Sequence, residues 1–289
     1  AYDVTKSDGA NVGGNPDQII GPGNSITYQW YAGDVKKSSG TNNNFVATPI
    51  EFGATNLMSS DPIKHSNKGA IGALIIEPQG STWVEDQTSR AQATVTAGGT
   101  SFREFVLLFQ NDINLRFGDG SAVPNTAEAE DSEDSGQKAL NYRTEPLWKR
   151  MNYAPDTPLE VTRTFDYTNV LSNMQVSGDP VTPIFTASAG MPVRFRILEP
   201  GGHARNTVFQ VHGHIWEEEP YMNGSRVIGT NPLSEWKGSQ GGHGPSNHFD
   251  VVLKNGAGGG FRVAGDYLYR DQSSFAFDGG LWGIFRVTQ

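Results

Sequence analysis

The chain has 289 residues, a formal net charge of −9 and no cysteine. That length allows about two domains at the usual ~100–200 residues each, the acidic balance argues against nucleic acid, and the missing thiol excludes disulfides, thiolate metal sites and cysteine nucleophiles. Abundant glycine and plentiful aromatics suit an all-β protein with many turns, and no apolar run approaches the ~20 residues of a membrane span.

The first strand signal lies at residues 25–31, where β-formers alternate after the Gly-Pro-Gly turn at 21–23. Residues 70–76 read as a buried strand ended by Glu77 and Pro78, and residues 102–109 as another. An acidic run at 127–134 follows and predicts a solvated loop between two units. Its carboxylates suit calcium, but their spacing matches no recognised calcium loop, so a plain linker is the simpler reading. Residues 146–151 predict one short helical turn. Strands are expected again at 192–198, 207–211, 248–253 and 281–287. Short strands between turn signals, with little helical periodicity, predict β-sandwiches.

A weak internal repeat relates residues 68–76 to 279–287 and residues 22–28 to 189–195. The expected division is a partial unit at 1–117, an acidic linker at 118–155 and a second unit at 156–289. Before Ile26 only a marginal strand at residues 1–5 is legible, so the first unit reads as incomplete. A sandwich without its first strands exposes a sheet edge. The expectation is that a second polypeptide, or a segment upstream of Ala1, completes it, in a homo- or hetero-oligomer.

Five segments in order, at 21–30, 69–78, 141–146, 208–216 and 265–287, resemble those of multicopper oxidases, in particular the bacterial and ceruloplasmin-like branch. The resemblance implies two cupredoxin-like Greek-key β-sandwich units, an extracytoplasmic location and copper as the cofactor to consider. Such oxidases collect electrons at a blue copper held by a cysteine and two histidines. They reduce oxygen at a three-copper cluster held by paired histidines. Here Tyr267 and Tyr269 match the lead-in to the family's histidine-cysteine-histidine motif, and Arg270, Asp271 and Gln272 stand in the ligand positions. Arginine cannot coordinate, and an aspartate does not replace the thiolate of a blue-copper site. In the family's other late motif, Thr207 takes the place of the blue-copper histidine and Gln210 that of a cluster ligand. His212 keeps a cluster position, and His214 matches a histidine that is not generally a ligand.

The candidate metal ligands are His212, His214, His203 and His243. His212 and His214 are one residue apart on an expected strand, which would put both on one face. His203 and His243 lie in glycine-rich segments able to approach them. The alternative is that these histidines are remnants bonded to backbone or to neighbouring carboxylates. His248 reads as a strand-entry residue and His65 as a solvated one. Glu217, Glu218 and Glu219 either attract reducible metal ions or form an exposed turn before Pro220. Residues 223–225 match a glycosylation sequon. Residues 256–260 lack the lysine of a phosphate loop, and no nucleophile elbow is present. Two functions follow: the C-terminal cupredoxin part of a multicopper-oxidase-like protein, with copper ligands supplied largely from elsewhere, or a catalytically inactive structural or assembly subunit.

Overall fold

The computed structural model describes residues 3–40, 44–61, 64–113, 119–121, 137–154, 157, 161, 164, 166–176, 178–202, 206–221, 226–272 and 277–289. The acidic run at 127–134, the sequon and His203 lie outside them. The architecture is all-β, as the turn-rich composition implies. The strands are β1 (Gly33–Lys37), β2 (Phe45–Pro49), β3 (Gly53–Met58), β4 (Ile71–Ile76), β5 (Thr82–Glu85), β6 (Gln92–Ala97), β7 (Thr100–Ile113) and β8 (Gln137–Leu140). After the short helix α1 (Leu147–Arg150) come β9 (Ile184–Ser188), β10 (Val193–Gly202), β11 (Thr207–Val211), β12 (Trp216–Glu217), β13 (Trp236–Lys237), β14 (Ser239–His243), β15 (His248–Val252), β16 (Gly265–Asp271) and β17 (Trp282–Thr288).

Two large sheets dominate. One runs β15-β10-β7-β6-β5 with β8 beside β7, and the other runs β14-β11-β16-β17-β9. Strand β7 lies parallel to β10 in one sheet, and β9 lies parallel to β17 in the other. Residues 118–155 therefore do not separate two hydrogen-bonded halves, because strands from before and after them share a sheet. The cause is visible in β7. Phe105, Leu107 and Phe109 alternate onto one face, and all are fully buried. They join Phe185, Phe195, Phe209, Tyr269 and Phe285 in one core. Phe105 sits 4.8 Å from Phe185, 5.0 Å from Phe195 and 5.5 Å from Phe285, ring centre to ring centre. A strand this apolar on its inner face cannot be left without the facing sheet. Trp282 anchors a second cluster with Leu147 and Val170, and its indole N–H donates to the Glu145 carbonyl at 2.8 Å.

Residues 25–31, read as a strand, adopt no strand pairing. The alternation there serves a local knot instead. Tyr28 Oη donates to the Gln18 carbonyl at 2.7 Å, and Trp30 Nε1 donates to the Ser7 carbonyl at 2.7 Å. Residues 4–6 form a single 3-10 turn rather than the marginal strand.

The outer face of the β10-containing sheet carries charge. Arg194 and Arg196 alternate with core residues along β10, and Glu104 and Asp250 stand beside them on β7 and β15. The β3–β4 hairpin covers this patch. Arg196, fully buried, is held by Glu104 Oε2 at 2.9 Å, by Asp250 Oδ1 at 2.8 Å and by Glu77. Arg194 pairs with Glu51, and Tyr221 Oη donates to Asp250 Oδ2 at 2.5 Å. The hairpin approaches so closely that a side chain at Gly53 would run into the Asp250 carboxylate, and its φ of 65° is left-handed. Burial, then the neighbouring Glu104 carboxyl, push the Glu77 carboxyl up to about 8. The folded state thus holds a proton there that the unfolded chain releases near its ordinary value of 4.5. Stability is expected to fall as pH rises between those two values and to level off above them. Urea midpoints measured across that window, with Glu77→Gln flattening the slope, check this.

Candidate metal-binding region at the β11–β16 pair

Strand β11 lies between β14 and β16, with Phe209 opposite Asp271 and Gln210 opposite Arg270. The positions of interest therefore meet at one place. The sequence expectation that His212 and His214 share a strand face is corrected here. Strand β11 ends at Val211, and Gly213 turns the chain at φ 71°. The alternation rule stops applying at that turn, so His212 is exposed while His214 is buried.

His214 is committed to the backbone. Its Nδ1 lies 2.9 Å from the His212 carbonyl oxygen, which can only accept. The Gly258 N–H donates to Nε2 at 3.1 Å. The two contacts fix the neutral tautomer with the proton on Nδ1 and leave no ring lone pair for a metal. Tyr267 packs on the ring at 4.7 Å, and burial holds the imidazole below its ordinary pKa. His212, although exposed at the surface, is also held low, by partial desolvation from its neighbours and then by the Arg270 cation, and that cation disfavours a second positive ion beside it.

The residues at the resembling ligand positions are likewise engaged. Asp271 Oδ1 accepts from the Val208 N–H at 2.9 Å. Thr207 Oγ1 donates to Glu199 Oε2 at 2.8 Å. The Arg270 guanidinium lies over the Phe277 ring at 3.8 Å. Among the three acidic residues after β11, Glu217 is buried and accepts from the Asn231 N–H at 2.6 Å, and Glu218 pairs with Lys237 at 3.3 Å.

His243 differs. It is 2% exposed, its ring nitrogens have no hydrogen-bond partner among the described residues, and its Nε2 lies 3.9 Å from Glu199 Oε2. Phe109 and Phe249 flank it edge-on at 5.3 and 5.1 Å. Burial pushes its pKa down to about 4 from 6.5. Since the unfolded chain takes up this proton first, the contribution is present above 6.5 and is lost as pH falls from 6.5 toward 4. His243→Phe, matched to its aromatic neighbours, is expected to flatten the stability profile over that window. An unchanged slope in denaturant titrations would show that His243 does not titrate there.

His65 Nδ1 pairs with Ser59 Oγ at 2.9 Å, and His248 opens β15 on the surface. The described residues contain no group of three or more His, Asp or Glu able to hold a metal ion. Sequence reasoning missed Glu199 and the Arg196 cluster. The signal available was charge placed between apolar residues in strongly apolar strands, as at Arg194, Arg196 and Asp250.

Two facing sheets, antiparallel except at the β7–β10 and β9–β17 pairs, define an all-β sandwich. No protein-family model matches the chain, and no curated protein matches it. Among solved structures it is similar to a multicopper oxidase, at 14% identity over 85% of this chain and 61% of that one, with a TM-score of 0.45. It is also similar to a blue copper oxidase from Nitrosomonas europaea, at 14% identity over 85% and 59% of the two chains, with a TM-score of 0.44. A laccase from Botrytis aclada follows at 15% identity over 84% and 36%, with a TM-score of 0.42. The chain thus spans 36–61% of the length of these structures. At such values the likeness says nothing about chemistry, and the fold assignment rests on the strand pairing. No helix among the described residues is long and apolar enough to cross a membrane.

Proposed function

We propose that the chain is a structural, cupredoxin-like part of an extracytoplasmic multicopper-oxidase-like protein, without a blue-copper site of its own. The observation that carries this reading is that the candidate ligand His214 and the residues at the resembling ligand positions, Thr207 and Asp271, are all engaged within the protein. The lack of cysteine supports it, because a blue copper needs a thiolate. Any oxidase activity of the whole protein would then depend on ligands from other segments or chains. A partner over the N-terminal region belongs to the same reading. Phe45, Trp83 and Val84 are 68%, 61% and 73% exposed, and β5 is an edge strand of its sheet. The test is metal analysis after equilibration with excess Cu(II) and washing with a weak chelator. Loss of the copper is expected, and one copper retained per chain would refute the reading.

A second reading, copper binding within this chain, draws on His243. A buried imidazole with no hydrogen-bond partner among the described residues, beside the Glu199 carboxylate, supplies two donors of the kind copper or zinc uses. His203, His212 or another residue would have to complete the set. In that case His243→Phe abolishes the retained metal, whereas His214→Phe does not.

A further inference from the structure

A groove of about 680 Å³ opens on the outer face of the β10-containing sheet, beside the Arg196 cluster. Its floor is Val95 on β6 with Val106 and Leu108 on β7. One wall is β4, whose alternating Ala73 and Ile75 lead to Glu77, and Trp83 of the edge strand β5 forms the rim. The β3–β4 hairpin covers the β10 and β15 part of this face and leaves the β5–β7 part open.

The charges at the closed end do not balance. Four carboxylates, from Glu51, Glu77, Glu104 and Asp250, meet two guanidiniums, from Arg194 and Arg196. The Tyr221 hydroxyl donates to Asp250 and adds no positive charge. Of the four acids, Glu77 and Glu104 reach the groove. The Glu77 side chain is 10% exposed; beyond the proton it holds beside Glu104, its Oε2 meets no donor among the described residues, and Arg194 Nη1 lies 3.9 Å away. A buried carboxylate oxygen without a donor is costly, and it sits at the end of an apolar channel. Glu85 and Arg90, on the rim, cancel one another in charge.

The geometry points to this groove as a binding site for an organic monocation: a protonated amine on an apolar body, its ammonium against Glu77 and Glu104 and its body on Val95, Val106 and Leu108. The ammonium gives Glu77 Oε2 a donor and takes the place of the proton held there, so the surplus stays at one negative charge with all four acids ionised. The body removes apolar surface from water, beside a Trp83 face suited to an aromatic or cationic group. The occupant is a small free amine. The inference uses none of the histidines on which the proposed function rests and shares with its partner surface only Trp83, which is at the rim and not at the carboxylates, so either can fail alone.

The probes are 2-phenylethylamine and its uncharged isostere 2-phenylethanol, titrated calorimetrically into the full chain. Saturable binding of the amine is expected, with the alcohol at least about tenfold weaker, the effect of one charge-assisted hydrogen bond. At neutral pH the amine displaces the proton held at the carboxyl pair, so buffers of different ionisation heat should report proton release. Glu77→Gln should weaken the amine at least about tenfold and abolish that release. Ala73→Phe, which fills the groove without touching a carboxylate, should block both probes and serves as the control if Glu77→Gln does not fold. Equal affinity for amine and alcohol, no saturable amine binding, or full binding by either folded variant would overturn the assignment.

Discussion

Arg196→Ala is expected to destabilise the protein by about 3–5 kcal/mol, the range for removing one partner of a buried ion pair. The guanidinium is fully buried and engages three carboxylates from three strands or their ends: Glu104, Asp250 and Glu77. Without it those acids stay buried with only Arg194 nearby, and they must either ionise uncompensated or take up protons. Arg196→Lys should recover little, since a single ammonium cannot present the fork that meets Glu104 through Nε and Asp250 through Nη1. The loss should appear as a lower urea midpoint with an unchanged slope. It should also shrink at acid pH, where the carboxylates are neutral. A midpoint within error of the parent would mean that the hairpin β3–β4 does not cover this cluster in solution.

The second large effect lies on the other face of the same sheet. Phe105→Ala is expected to cost about 3–5 kcal/mol, as for other buried phenylalanines truncated to alanine. Phe105 is fully buried, and its ring contacts Phe195 in its own sheet and Phe185 and Phe285 in the facing one. The residue belongs to the first part of the chain and its facing partners to the last part. Its loss should therefore lower a single cooperative transition, not one of two. Two separate transitions, with only the first shifted by Phe105→Ala, would show that the parts fold apart.

The strands that line the core were legible in the sequence because they are short runs rich in apolar and β-forming residues between turn signals. Residues 102–109, 192–198 and 281–287 became β7, β10 and β17 with bounds shifted by a few residues. Their pairing was not legible, because alternation sets which face is buried and not which strand lies alongside. The parallel β7–β10 contact joins residues about 90 apart and leaves no local mark. Short exposed strands such as β5, with every residue exposed, carried too little apolar signal to find. At residues 25–31 the pattern was right for a strand, but Tyr28 and Trp30 found partners in a local knot. For the site, the replacement of ligands by Thr207, Arg270 and Asp271 could be read directly. The fate of His214 could not, since it depends on the turn at Gly213 and on a backbone N–H from Gly258, 44 positions away.

That histidine is where the structural reading meets its most direct test. Long-range proton–nitrogen spectra of imidazole-labelled protein report the tautomer and the ligation of each ring. The account predicts that His214 stays neutral, protonated at Nδ1, with its nitrogen shifts unchanged on adding one equivalent of Cu(I). A coordination shift at His214 Nε2 under those conditions would mean that the ring leaves Gly258 for the metal, and it would contradict the account.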